Sequence, residues 1–359
     1  MSENVLISYG TQLVFRLEDS SSVAVVRRAG GALARELQFD ETRAGQLALL
    51  ITEAATNIVK HAGRGEILLR ALHQQHETGV VLSGVEVIAM DNGPGISNLH
   101  SLMEDGNSTA GTYGIGLGAV QRLSHEFDIY TQAGNGTLLW MTLWGSEQKP
   151  AQGFWQIGAI CVPIEGEDVC GDNWSIAANQ RNLTLMIADG LGHGWGAAQA
   201  SDAAVALAAK YTEQPPSLLL QHAHTALQGT RGAAVAVSRF DPENERIQFA
   251  GVGNISVCVF YTEKSRHLLS HNGIVGSNLR KLQEFSELWE SDALFIAHTD
   301  GINTRWNIDN YPGLRHCHPG LIAGLIYRDF SRRRDDATVV VVKEFAGNAK
   351  NFLHQRSIS

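Results

Sequence analysis

The chain has 359 residues, of which 44% are hydrophobic, 18% charged and 7% aromatic, the proportions of ordinary globular proteins rather than of disordered, fibrous or membrane chains. That length exceeds one ordinary core and suits two self-sufficient domains. A formal net charge of -9 leaves no basic face to neutralise a phosphate backbone, which argues against nucleic acid as a partner.

Four cysteines, Cys161, Cys170, Cys258 and Cys317, form no CxxC pair and no zinc-like spacing with histidine, as expected of reduced, buried thiols in the cytoplasm. Residues 1–10 carry no basic patch followed by an apolar core, and no apolar run approaches the roughly 20 residues a bilayer requires. Neither a secretory leader nor a membrane span is expected.

In chain order, a strand is predicted over 13–17, then helices over 20–37 and 40–61 from apolar residues at three- and four-residue spacing, with Asp40 capping the second. Strands follow over 66–72 and 80–90, and the second runs into the turn Asp91-Asn92-Gly93-Pro94-Gly95. A glycine- and serine-containing stretch, 105–114, leads to a helix over 115–125 and a hairpin of 127–131 and 137–144 that turns through Gly134-Asn135-Gly136. Residues 145–153 break the periodic pattern and read as a linker.

Beyond it, strands are predicted over 155–162, 174–178, 183–188, 233–240, 246–250, 255–261, 293–298 and 338–342, with helices over 195–211, 217–227 and 320–330. The expected organisation is one domain over 1–145, a linker over 146–153, a second domain over 154–345 and a tail over 346–359. The fold class is α/β (α+β), with an α/β sandwich first and a mainly antiparallel β-sandwich flanked by helices second.

Two constellations carry chemistry. On the second helix Glu53 and Asn57 are four positions apart, so a carboxylate and an amide share one face. The turn at Asp91 closes an apolar strand, and Gly111-Thr112-Tyr113-Gly114-Ile115-Gly116-Leu117-Gly118 opens a helix, where closely spaced glycines let backbone N–H groups approach phosphate oxygens. This run does not follow a strand in a βαβ unit, so the dinucleotide fingerprint does not fit.

The order Glu53-x-x-x-Asn57, Asp91-x-Gly93-x-Gly95, Gly111 to Gly118 and Gly134-x-Gly136-Thr137 resembles the N, G1, G2 and G3 boxes of the GHKL (Bergerat) ATPase and kinase family. The variant looks most like the RsbT- and RsbW-type serine kinases that phosphorylate STAS-domain antagonists. The resemblance implies an ATP site in which Asn57 holds Mg²⁺, Asp91 accepts a hydrogen bond from the adenine amino group, and Glu53 is the base for the attacking hydroxyl. Gly93, Gly95, Gly111, Gly114, Gly116, Gly118 and Thr137 complete the nucleotide-binding set. One metal, a glycine cradle and one carboxylate suffice for phosphoryl transfer, which needs mostly charge neutralisation and in-line positioning. His61, at the helix end, reads as a cap or surface residue rather than a phosphoacceptor.

In the second half, aspartates sit beside glycines or in pairs at strand ends: Gly171-Asp172, Asp189-Gly190-Leu191-Gly192-His193-Gly194, Thr299-Asp300-Gly301 and Asp335-Asp336-Ala337-Thr338. Carboxylates delivered from separate strands to one region form the oxygen-rich arrangement that Mg²⁺ or Mn²⁺ prefers, with an activated water as nucleophile. The set resembles metal-dependent (PPM) serine/threonine phosphatases of the SpoIIE/RsbX branch. That resemblance implies two Mn²⁺ or Mg²⁺ ions held by Asp172, Asp189, Asp300, Asp335 and the Gly190 carbonyl, with Asp172 and Asp189 also central to catalysis. Asp336 reads as a partner that hydrogen-bonds the ligand set, and His193 either orients a water or leaving oxygen or fills the glycine turn. Neither Arg181 nor Arg231 matches the phosphate-gripping arginine of the larger members, which leaves that role open.

Together these resemblances imply a bifunctional kinase and phosphatase acting on STAS-domain antagonists, with a sigma factor or other effector downstream and a homodimer among the states left open. Two rival readings remain: an amino-terminal module that binds a sigma factor or STAS partner without transferring phosphate, and a phosphatase whose ATP site is a sensor.

Overall fold

Asp19 and Asp40 start the two long helices of the first half. The Asp19 carboxylate accepts the Ser22 N–H at 2.9 Å while the Ser22 hydroxyl reaches back to the Asp19 N–H, and the Asp40 carboxylate accepts the Arg43 N–H at 2.7 Å. The computed structural model describes residues 5–7, 10–75, 81–99, 116–147, 150, 153–179, 182–279 and 282–345. The elements of the first half are β1 (Val5–Ile7), β2 (Leu13–Leu17), α1 (Ser20–Glu36), α2 (Glu41–Asn57), β3 (Gly65–Gln75), β4 (Val81–Asp91), α3 (Gly116–Leu123), β5 (Glu126–Thr131) and β6 (Thr137–Trp144). The α-helical part of α2 ends at Asn57, one turn before the expected end at 61. A π-turn over Ile58–Ala62 completes it, closed by the Gly63 N–H on the Ile58 carbonyl at 3.0 Å.

An antiparallel sheet of order β2-β3-β4-β6-β5 carries α1 and α2 on one face. Leu33, Leu47, Leu50, Ile51 and Ala54 of the helices pack there on Ile67, Leu69, Val85, Val87, Leu139 and Met141. The alternate residues of the same strands face the other way. Among them Arg70 and Glu86 form an ion pair at 2.7 Å with side chains 1% and 5% exposed, and Glu86 also accepts the Trp140 indole N–H at 2.9 Å.

The remaining elements are β7 (Trp155–Val162), β8 (Asp172–Asn179), β9 (Asn182–Gly190), α4 (Trp195–Val205), α5 (Leu207–Lys210), α6 (Pro216–Ala226), β10 (Ala233–Asp241), β11 (Arg246–Val252), β12 (Ser256–Phe260), β13 (Ser265–Leu268), β14 (Phe285–Leu288), β15 (Leu294–His298), α7 (Pro319–Phe330) and β16 (Ala337–Glu344). They build two antiparallel sheets, β1-β8-β9-β10-β11-β14 and β13-β12-β15-β16-β7. Leu183, Leu185 and Ile187 of β9 join Val257, Phe295 and Val340 in the core between the sheets. The intervening Met186 and Ala188 pack on Ala200 and Ala204 of α4 and Leu219 and Leu220 of α6. Both faces of β9 are buried, which is why it reads as an almost unbroken apolar run.

By contacts, the chain divides into two compact units that no single cut separates: Gln12–Ala151 with Ile308–Leu325, and Met1–Thr11 with Gln152–Asn307 and Ile326–Ser359. The segment Ile308–Leu325 joins the first unit through His318, whose ring stacks on Trp140 at 3.4 Å and whose N–H donates to Asp128 at 2.6 Å. Gly320 permits that approach, since a Cβ there would stand 2.4 Å from the Trp140 ring. The class is mixed α/β with antiparallel sheets, as expected. The helix expected over 195–211 breaks at Ala206, and β1, β13 and β14, which the periodicity does not predict, all lie at sheet edges. Among the described residues, no helix is long and apolar enough to cross a membrane.

Removing one partner of a buried ion pair strands the other charge. Glu86→Ala is therefore expected to destabilise the first unit by about 3–5 kcal/mol, read by chemical denaturation followed through tryptophan fluorescence, and Glu86→Gln, which keeps an acceptor for Trp140, by less.

Candidate nucleotide and metal sites

At the end of α2, Glu53 and Asn57 stand half-buried beside Ala54, Ala55 and Ile58, which anchor that turn in the core. Their i, i+4 spacing puts both side chains on one face, as the sequence implies. Asp91 is the last residue of β4, and its Oδ1 accepts the N–H of Gly93 at 2.8 Å and of Thr137 at 3.3 Å. One carboxylate oxygen thus ties the turn after β4 to the start of β6.

The glycines around Asp91 are demanded by neighbouring backbone. Gly95, at φ +72°, lies where a Cβ would be 2.3 Å from the Gln132 carbonyl oxygen. Gly136, at φ +78°, lies where one would be 2.0 Å from the Asp91 carbonyl oxygen. A Cβ on Gly93 would meet that of Ala62 at 2.6 Å, at the end of the π-turn after Asn57. The Thr137 hydroxyl is within 3.1 Å of the Thr131 hydroxyl, which in turn accepts the Ile96 N–H at 2.8 Å. Gly93, Gly95 and Thr137 are thus brought to Asp91, and the π-turn after Asn57 reaches the same place through Ala62. Gly116, at φ +73°, and Gly118 open α3, while Gly111 and Gly114 lie outside the described residues.

In the second unit, Asp172 opens β8 and Asp189 is the last residue but one of β9, and the ladder sets the two directly opposite each other. Asp172 is 3% exposed and its Oδ2 accepts the Thr299 hydroxyl at 2.7 Å. Burial, and then the Asp189 carboxylate, push its pKa well above the carboxylate range. Burial also raises Asp189, to about 7, with the carboxylates of Asp300, Asp335 and Asp336 adding to it. Asp300 is raised by burial and by Asp335, while Arg332 and a 2.6 Å bond from the Asn254 amide draw it down. All five aspartates named from the sequence therefore share one electrostatic neighbourhood.

Asp336 organises that neighbourhood. Its two oxygens accept the N–H groups of Ile164 and Gly171, each at 2.8 Å, and a Cβ on Gly301 would stand 1.9 Å from its carbonyl oxygen. Both of its carboxylate oxygens thus serve the backbone, in keeping with a supporting part, whereas Asp335 is exposed and accepts only the Asp336 N–H among the bonds of its side chain, at 2.9 Å. Gly190 lies under α4, where a Cβ would be 2.1 Å from the Ala197 carbonyl oxygen. The His193 Nδ1 and Glu167 Oε1 are 2.6 Å apart. Glu167 and Asn254 carry no motif that would single them out in the sequence; Thr299 stands inside the quoted Thr-Asp-Gly run.

Among the described residues, no three carboxylate, imidazole or thiolate groups already stand at metal-ligand spacing. The donor chemistry nevertheless fits a hard divalent cation, because the cluster supplies several carboxylate oxygens that raise one another's pKa.

Two consequences are measurable. Gly136→Ala forces a side chain onto the Asp91 carbonyl at positive φ, a strain of about 1–3 kcal/mol, and is expected to weaken a fluorescent ATP analogue about ten-fold. Mn²⁺ at 100 times its dissociation constant is expected to stabilise the second unit by about 2.7 kcal/mol, read as a rise in thermal midpoint that Asp189→Asn removes.

Residues 17–143 match the family model for the histidine kinase-like ATPase domain, and residues 179–344 that for stage II sporulation protein E (SpoIIE). The chain is 35% identical over 133 residues to the serine/threonine-protein kinase RsbT of Bacillus subtilis (strain 168), covering 37% of this chain and 96% of that one. It is 27% identical over 140 residues to the phosphoserine phosphatase RsbX of the same organism, covering 39% of this chain and 70% of that one. A crystal structure of RsbX in complex with magnesium matches at 23% identity and a TM-score of 0.49, over 55% of this chain and 99% of that one. The chain belongs to the RsbT-like histidine kinase-like ATPase family through its first half and carries a SpoIIE-family metal-dependent phosphatase domain in its second.

Proposed function

We propose that this chain both adds and removes the phosphate on a serine or threonine of a STAS-domain antagonist, as a cytoplasmic partner-switching regulator acting upstream of a sigma factor or other effector. The kinase module is taken as residues 1–145 and the phosphatase module as 154–345. What supports the reading most is the gathering of Asp172 and Asp189, paired across two strands, with Asp300 and Asp335 from separate loops around one electrostatic centre.

In the phosphatase module Asp172, Asp189, Asp300, Asp335 and the Gly190 carbonyl would hold two Mn²⁺ or Mg²⁺ ions. When bound, these supply Lewis acidity toward the phosphoryl oxygens and lower the pKa of the attacking water. The chain's own part is positional. Thr299 fixes one oxygen of Asp172, Asn254 fixes one of Asp300, and Asp336 holds the backbone at Gly171. As the water oxygen bonds to phosphorus the phosphoester P–O bond breaks, and the serine or threonine oxygen leaves with a proton that the water gives up.

In the kinase module Asn57 would hold Mg²⁺, Asp91 would accept from the adenine amino group, and the glycines of 111–118 would face the phosphates of ATP. Glu53 takes the proton of the acceptor hydroxyl as its oxygen bonds to the γ-phosphorus and ADP departs. Tethering both modules on one chain raises the local concentration of each for the shared partner. Running both at once only hydrolyses ATP, so one activity is gated by the state of the partner or by an upstream signal.

The test uses the full chain, a STAS-domain protein and γ-labelled ATP with Mg²⁺, followed by removal of ATP and addition of Mn²⁺. Asn57→Ala should abolish labelling and spare release from protein labelled beforehand, while Asp189→Asn should do the reverse. Glu53→Ala should keep ATP binding and lose transfer. Labelling that survives Glu53→Ala unchanged would sink the kinase assignment.

A further inference from the structure

The acidic cluster has to admit a phosphorylated side chain, itself a dianion, and cations bound by the aspartates leave the outer phosphoryl oxygens to be met by the protein. The sequence does not say which basic residue does this. The ladder between β9 and β10 does, because Ala233 lies opposite Gly190 and the Leu191 N–H donates to the Gly232 carbonyl at 3.0 Å. Carrying that register one step further brings Arg231 against the turn that follows Asp189.

The guanidinium lies against that turn. A Cβ on Gly196 would stand 2.5 Å from its Nε and 2.6 Å from its Cζ, and one on Gly192 would be 3.3 Å from a terminal nitrogen. Two glycines thus leave the room the side chain occupies. Among the described residues, the one acceptor it meets is the His193 carbonyl, at a long 3.4 Å, and the side chain is exposed. Two other arginines near the cluster are engaged differently. Arg332 acts on the Asp300 carboxylate, and Arg333 donates to the Tyr327 hydroxyl at 2.7 Å and lies over its ring.

We propose that Arg231 is the residue that binds the phosphoryl oxygens of the substrate, and so selects phosphomonoester dianions, in the SpoIIE-type site. The inference rests on the phosphatase reading above. A guanidinium presents parallel N–H donors that match two phosphate oxygens, which an ammonium does not. Arg231 is exposed beside the turn after Asp189 whereas Asp172 is buried, so it would meet the phosphate while Asp172 and Asp189 would hold the metal.

The full-length protein with Mn²⁺ tests this on p-nitrophenyl phosphate, with inorganic phosphate as a competitive inhibitor and calorimetric titration of Mn²⁺ alone. Arg231→Ala should raise the KM for the ester and the inhibition constant of phosphate together, by about 10- to 100-fold, with Mn²⁺ affinity unchanged. Arg231→Lys should recover part of the loss. An unchanged inhibition constant in Arg231→Ala would overturn the assignment. So would a rise matched by lost Mn²⁺ affinity, or the same rise in Arg332→Ala or Arg334→Ala instead. If the unaltered protein with Mn²⁺ bound hydrolyses nothing, the phosphatase reading itself falls and takes this assignment with it.

Discussion

Two backbone N–H groups, those of Ile164 and Gly171, close on the Asp336 carboxylate, and the acidic cluster exists because they do. The bonds join the segment before β8 to the segment before β16, while Gly301 brings the turn after β15 against the Asp336 carbonyl. Three loops far apart in the chain are thereby held at one point, and Asp172, Asp300 and Asp335 arrive with them. A carboxylate that accepts backbone N–H groups is stabilised in its charged form. Burial and Asp335 push the other way, so that Asp336 ends with a raised pKa all the same. Its role is therefore structural, at an electrostatic cost shared with its neighbours.

The nucleotide end uses the same device with a different outcome. Asp91 accepts the N–H groups of Gly93 and Thr137 through one oxygen. In both units an aspartate serves as the knot of a loop cluster, and glycines surround it because backbone or side-chain atoms press close on them. Gly95, Gly136, Gly171 and Gly301 would each place a Cβ within 2.7 Å of another atom. At these four positions the motif glycines are explained by packing before any contact with phosphate is invoked.

That distinction decides what was legible in the sequence. The aspartates could be read because each adjoins an apolar strand, and strands such as β9 and β10 announce themselves by being buried on both faces. The edge strands β1, β13 and β14 could not. An edge strand is paired on one side only, and β13 has the pattern of one buried residue in four, too little for periodicity to register. Asp40 as a cap follows from local chemistry, whereas the π-turn after Asn57, whose Ala62 packs against Gly93, leaves no signature. Glu167, Asn254 and Arg231 were illegible as partners for one reason. Each meets its site across a loop or a ladder, and side chains brought together by tertiary register carry no spacing rule.

The arrangement of charge in the second unit follows from these contacts. Five carboxylates converge where a dianionic phosphoester has to enter, so binding of the substrate depends on positive charge introduced at the centre and at the rim. Divalent ions at the centre would meet the first need, since each offsets more than one carboxylate. The turn Gly192 to Gly196 meets the Glu167 carboxylate at His193, and its glycines make space for a guanidinium that no carboxylate among the described residues engages. The same glycines that shape the turn after Asp189 therefore also leave the seat for the Arg231 guanidinium.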